Sequence, residues 1–156
     1  MLTIPSIRLA TPGDARSMAK FSRDFIEHGL GWSWTQARIL RAISSKSTNV
    51  AVIHERGCLL AFGIMEYGDD RAHLSLLGVQ PTQQRRGLGG LLVSWLEESA
   101  TIAGIERIGV EARADNPKAI AFYQRRGYKV RERVPGYYRG VVDAVRLEKT
   151  LRVHVL

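Results

Sequence analysis

The stretch from Leu74 to Ala103 restricts this chain more than any other part of it. Leu74-Ser75-Leu76-Leu77-Gly78-Val79 reads as an apolar strand. It runs into the polar segment Gln83-Gln84-Arg85-Arg86-Gly87-Leu88-Gly89-Gly90, which holds three glycines. From Leu88 onward the apolar residues fall on one helical face until Gly104 stops the pattern. A helix that starts this way leaves its first backbone N–H groups unpaired. It also carries about half a positive charge at that end. Glycine has no Cβ to hold an anion away, and Arg85 and Arg86 add positive potential. The segment is therefore built to hold a phosphate or pyrophosphate.

Two common phosphate motifs do not fit. The Walker pattern needs Gly-Lys-Ser/Thr, and Gly87-Leu88-Gly89-Gly90 has none. The dinucleotide fingerprint needs a third glycine where Leu92 stands. The preceding strand also belongs to an antiparallel meander, not to the first strand of a βαβ unit.

The rest of the chain supplies a frame for that segment. Ile7–Leu9 reads as a short first strand. Thr11 caps a helix with Pro12 in its first turn, and Ala15, Met18, Ala19, Phe25 and Ile26 fall on one face. Gly29 and Gly31 end it. Thr35 caps a second helix with Ile39, Leu40 and Ile43 inward. Val50–His54, Leu59–Tyr67 and Ala72–Val79 form the meander, turning at Arg56-Gly57 and Gly68-Asp69-Asp70. Ile108, Val110 and Ala112 alternate as a strand, Asn116–Arg126 is helical, and Tyr128–Val134 and Val141–Leu151 close the sheet. The order β-α-α-β-β-β-α-β-α-β-β predicts an α/β fold: a mixed, mainly antiparallel sheet flanked by helices.

The length of 156 residues suits one domain over positions 1–156. No run approaches a membrane span, and Met1-Leu2-Thr3-Ile4-Pro5-Ser6 lacks the basic start and apolar run of a signal peptide. The single cysteine, Cys58, lies in an apolar run and is expected to be a buried thiol. A cytoplasmic location fits these features. His28, His54, His73 and His154 are scattered without ligand spacing, so no metal site is expected. The net charge of +8 points to an anionic partner, either a phosphate-bearing cofactor or nucleic acid and the ribosome. No aromatic-basic stacking pattern supports the second. A homodimer is left open.

Gln84-Arg85-Arg86-Gly87-Leu88-Gly89 resembles the coenzyme A signature of the GNAT N-acetyltransferases, Gln/Arg-x-x-Gly-x-Gly/Ala. A second run, Val110-Glu111-Ala112-Arg113-Ala114-Asp115-Asn116-Pro117-Lys118-Ala119-Ile120-Ala121-Phe122-Tyr123 and on to Gly127-Tyr128, resembles the closing motif of that family. It is most similar to the ribosomal-protein alanine N-acetyltransferases within it. The resemblance extends along nearly the whole chain and implies the GNAT fold with acetyl-CoA as cosubstrate. It places the pyrophosphate on the backbone of Arg85, Arg86, Gly87, Leu88, Gly89 and Gly90, with Gln84 opening the loop. Leu77 and Val79 pair with the pantetheine arm, Asn116 and Tyr123 border the cofactor, and Arg125 or Arg126 is the candidate for the 3′-phosphate.

Amine acetylation needs a neutral amine, a stabilised oxyanion and a thiolate that leaves. The resemblance gives the oxyanion to amides of Leu76–Val79. Tyr123 is the candidate general acid, since a phenol can hand a proton to a thiolate. Glu111 is the candidate base. It lies on the polar face of its strand with Gly109 and Arg113, and its rival role is an ion pair with Arg113, Arg107 or another cation. An N-terminal amine is neutral for roughly a tenth of its population at pH 7, a lysine for about one part in 2,500. A weak base acting through water therefore suits the α-amine. Trp32, Trp34, Tyr137 and Tyr138 fall where the family faces its acceptor, although the tryptophans could equally be core. The relatives follow their paired tyrosines with Glu-Asp-Ala, whereas this chain has Val142-Asp143-Ala144. That departure leaves the acceptor open between a protein N-terminal amine and a small amine. A coenzyme A-binding sensor without turnover is the non-catalytic alternative.

Overall fold

Strands β2 (Thr48–Glu55) and β3 (Cys58–Tyr67) are apolar on both faces because helices cover both sides of them. The computed structural model describes residues 5–151. His154 lies outside that range, as does the start of the N-terminal segment at Met1–Ile4. The side chain of Arg85 is also outside the description.

The sheet has the order β1-β2-β3-β4-β5-β7-β6. Its other strands are β1 (Ile7–Leu9), β4 (Arg71–Val79), β5 (Arg107–Arg113), β6 (Lys129–Tyr138) and β7 (Val142–Thr150). All neighbouring pairs are antiparallel except β4 with β5. On one face lie α3 (Leu88–Ile102) and α4 (Pro117–Arg125). Leu88, Leu92, Val93 and Leu96 of α3 pack there on Ala51, Ile53, Leu74, Val110 and Leu147. On the other face are α1 (Ala15–Phe21) and α2 (Gln36–Ser44), whose Met18, Phe21 and Ile39 pack with Trp34 on Val50, Val52, Phe62, Ile64 and Leu76. The element order and the fold class are those expected.

A β-bulge at Ser75 decides the layout of β4. Leu74 pairs with Met65 while Leu76 pairs with the adjacent Ile64, so one extra residue sits on β4. The extra residue switches the alternation. Ala72 and Leu74 face α3, whereas Leu76 joins the α1–α2 core. Gly78 is next on the Leu76 face: a Cβ there would lie 2.7 Å from the Phe21 ring and 2.9 Å from Ile26. The absence of a side chain lets α1 pack close over the end of β4.

Several local expectations change. Cys58 is exposed, not buried, because it opens β3 just after a two-residue hairpin turn. Arg56 and Gly57 both hold positive φ in that turn. The first helix breaks into a 3-10 turn at Pro12–Asp14, α1, and a π turn at Ser22–Ile26. The change of pitch leaves Phe25 53% exposed instead of in the core. Leu40 is also exposed on α2. Strand β6 continues to Tyr138, past Pro135, because it is the sheet's edge strand and can spare an N–H there.

Candidate active site

The parallel pairing of β4 and β5 stops at Leu74 and Val110. Beyond that point the β4 edge over Ser75–Val79 has no strand partner on that side among the described residues, and a cleft of about 960 Å³ opens between the strands. Leu77, Val79, Gln84, Glu111, Asn116, Tyr123, Trp34, Tyr137 and Tyr138 all line it. The side chains of Leu77 and Val79 also pack into the α3 core, so the unpaired β4 backbone is what they offer a ligand.

Glu111 forms the floor. Its carboxylate accepts from His73 Nε2 and, at 3.2 Å, from Arg146 Nε. The ion-pair partner is therefore Arg146 on β7, directly across the ladder, and not Arg113 or Arg107. Arg113 instead forks onto Asp115 at 2.9 Å through two nitrogens. Burial pushes the Glu111 carboxyl up, but the hydrogen bonds and charges of His73 and Arg146 outweigh it and hold it below its ordinary value. The group is thus an anion at neutral pH. His73 Nδ1 lies 3.0 Å from Ser75 Oγ. The imidazole thus bridges Glu111 and Ser75 through its two ring nitrogens. Sequence reading passed over His73 as one of four scattered histidines. The signal was its alternation with Ala72 and Leu74, which puts His73 on the same face as Glu111 once β4 and β5 pair in parallel.

Tyr123 stands on α4, edge-on to Phe122 and Tyr128 with ring centres 5.2 and 5.6 Å apart. Burial, reinforced by neighbouring Tyr138, pushes its phenol well above the ordinary tyrosine value. It therefore reaches the cleft as an O–H donor. Asn116 caps α4, accepting from Ala119 N–H at 3.2 Å. Burial also raises Tyr138, with Tyr137 and Glu111 adding to it.

Helix α3 begins at Gly87, whose φ of 75° is left-handed. No side chain among the described residues caps the helix, and the first bond back to Gly87 O comes from Leu91 N–H at 3.0 Å. The N–H groups of Leu88, Gly89 and Gly90 precede that bond and have no partner among the described residues. The Leu88 side chain is core, so only its backbone can serve a ligand. The Arg86 guanidinium is turned to Glu55 and Gln83, at 3.0 and 2.8 Å, which removes its side chain from the expected anion site. Arg126 takes that place. Its guanidinium stacks 4.3 Å from the Phe122 ring and lies so close to Gly90 that a Cβ there would meet it at 1.8 Å. A cation held against the positive end of a helix, with no carboxylate partner among the described residues, calls for an anion between them.

The two tryptophans separate. Trp34 is buried and borders the cleft, whereas Trp32 is 40% exposed, sits 5.5 Å from the Arg23 guanidinium, and is not among the lining residues. The loop carrying them is tied by Glu27. That carboxylate accepts from Ser22 Oγ, Ser33 N–H and Oγ, and Trp34 N–H.

The acetyltransferase (GNAT) family matches residues 18–128. The [ribosomal protein bS18]-alanine N-acetyltransferase of Salmonella typhimurium is 34% identical over 90 residues, which make up 56% of this chain and 61% of that protein. The chain thus spans less than two thirds of the length of this curated relative. The crystal structure of the ribosomal-protein-S18-alanine N-acetyltransferase from Escherichia coli superposes with a TM-score of 0.83 at 23% identity, covering 98% of this chain and 99% of that one. The structure of yncA from Salmonella typhimurium with its cofactor acetyl-CoA gives a TM-score of 0.81 at 19% identity, covering 99% and 98%.

Proposed function

This chain belongs to the acetyltransferase (GNAT) family, and on that premise we propose that it moves an acetyl group from acetyl-CoA to a primary amine, with a protein or peptide N-terminal amine as the acceptor. One observation carries the reading: the gap between β4 and β5 brings a carboxylate, Glu111, and a buried phenol, Tyr123, to one cleft beside an uncapped helix N-terminus.

The residues present fit acetyl-CoA. The open N–H groups of Leu88–Gly90 and the Arg126 guanidinium suit its pyrophosphate and phosphate, and the unpaired β4 edge suits its amide-bearing arm. Bound there, acetyl-CoA supplies an acyl thioester. Gln84 and Asn116 border the same channel. N–H groups of the free β4 edge stabilise negative charge on the acyl oxygen. Glu111, held anionic by His73 and Arg146, takes the proton of the amine through water, and the His73–Ser75 pair fixes the carboxylate's direction. Tyr123 gives its hydroxyl hydrogen to the departing sulfur. Because Glu111 is a weak base, the amine must be largely deprotonated already, which favours an α-amine over a lysine. Tyr137 and Tyr138 border the acceptor end. A relative that acts on bS18 alanine supports the peptide acceptor.

The test is acetyl transfer followed by mass spectrometry. The panel holds peptides with free N-termini, N-blocked peptides with lysine, and small amines. Transfer to the free N-termini is expected. Transfer to small amines alone would discard the peptide acceptor, and acetyl-CoA binding without any transfer would favour a sensor.

A further inference from the structure

Of the three arginines that line the cleft, Arg38, Arg113 and Arg139, two lack an acid. Arg113 is paired with Asp115, and Arg146 behind the lining with Glu111 and Glu132. Arg38 of α2 and Arg139 of the β6–β7 turn also line the cleft, yet neither forms an ion pair or side-chain hydrogen bond among the described residues. Arg38 is held in place by stacking. The Arg38 guanidinium lies 3.6 Å from the Trp34 ring, and Trp34 is itself buried. Stacking uses the flat face of a guanidinium and leaves its N–H edge free to take a carboxylate. Arg139 has a φ of 56°, unusual for a residue with a side chain. Its side chain is exposed, with the guanidinium about 3.5 Å from where a Cβ on Gly31 would stand, against the loop that carries Trp34.

Four acids line the cleft. Glu27 is tied up by Ser22, Ser33 and Trp34, and Asp115 by Arg113. The other two lie away from Arg38 and Arg139 in the fold. Glu66 lines it from the end of β3, directly across the ladder from His73, and Glu111 lies beside His73. The Tyr137 phenol feels both sets: burial and Glu111 push it up while Arg146 and Arg38 pull it down. The cleft therefore has acids suited to an amine and, along its lining, arginines suited to an anion.

We propose that the acceptor is a polypeptide terminus in which a carboxylate side chain comes within one or two residues of the reacting amine, read by Arg38 and Arg139. This rests on the amine-acetylating function above. The net charge of +8 acts in the same direction, since it speeds the approach of an acidic segment.

The experiment measures kcat/KM for peptides sharing one N-terminal residue, with Asp or Glu, Ala, or Lys at the second and third positions. It uses the full chain, Arg38→Gln and Arg38→Glu. A charge-assisted hydrogen bond predicts a preference of about 10- to 100-fold for the acidic over the lysine peptide. Arg38→Gln should shrink that ratio, and Arg38→Glu should bring it to parity or reverse it. A ratio cannot be moved by partial unfolding alone. Equal rates on all peptides, or a lysine preference in the unaltered chain, would overturn this inference and leave the N-terminal acetyltransferase standing. Acetylation of free acidic amino acids with refusal of every peptide would overturn both the polypeptide acceptor and the reading above. An unchanged acidic preference in both Arg38 variants would remove Arg38 from recognition.

Discussion

At Glu111 the two readings its sequence position allowed, ion pair and base, do not exclude each other. It is a member of an ion pair, and it also lines the cleft. The two roles are linked, because the donors that keep it charged also aim it. Tyr123 is tuned the opposite way, with burial keeping its proton on. If this phenol serves the leaving thiolate, Tyr123→Phe should lower kcat by about 10- to 100-fold with acetyl-CoA affinity changed little. Pre-steady-state transfer and calorimetric binding would check both halves. Unchanged turnover would leave Tyr123 as a packing residue against Phe122 and Tyr128. His73 is the residue whose role was least visible beforehand. Nothing in its local sequence says that a parallel neighbour will bring Glu111 to its Nε2.

At the scale of elements, small irregularities set the site. The bulge at Ser75 redirects β4 just where β5 leaves it, and the π turn after α1 turns Phe25 toward the cleft. The start of α1 rests on Asp14. This carboxylate accepts from Thr11 N–H at 2.7 Å and takes a fork from Arg8 at 2.8 and 3.0 Å. The Arg8 hydrogen bond outweighs burial, and Thr11 adds to it, lowering the Asp14 carboxyl from 3.8 to about 2. A depressed carboxyl stabilises the fold above its ordinary value and loses that contribution as the pH falls through its folded one. Asp14→Asn should therefore cost roughly 2 kcal/mol at neutral pH. The gap between variant and parent should close between about pH 4 and pH 2. Urea unfolding across that range measures it. A gap that stays constant with pH would show that the Asp14 charge is not what holds the α1 start.

Across the whole molecule, the cleft is assembled from elements far apart in the chain. Arg113, at the end of β5, donates to the carbonyl of His28 at 3.1 Å while it forks onto Asp115. It thereby ties the α1–α2 loop to β5. Arg113→Ala should raise the acceptor KM by about tenfold, with a smaller change in kcat and none in acetyl-CoA affinity. Equal losses for acceptor and acetyl-CoA would mean general loosening instead of a misplaced loop. The same long-range assembly joins Tyr128 and Lys149 to Glu97, at 2.8 and 3.0 Å, so that the closing motif is pinned to α3.

The sequence by itself determined the features that arise from short-range periodicity and backbone chemistry. The β4–glycine loop–α3 passage, the cap at Thr35, the order of elements, and the polar face bearing Glu111 all depend on neighbours within a few residues. Only the tertiary structure decided who meets whom. Glu111 paired with Arg146 because β7 lies antiparallel beside β5, and with His73 because β4 lies parallel on its other side. Arg126 displaced Arg86 at the helix N-terminus because α4 packs on α3 through Phe122 and Gly89. Trp34 went to the core and Trp32 to the surface according to the turn of one loop held by Glu27. Contacts between distant segments depend on strand order, register and bulges, and a one-residue change in register moves a side chain to the opposite face.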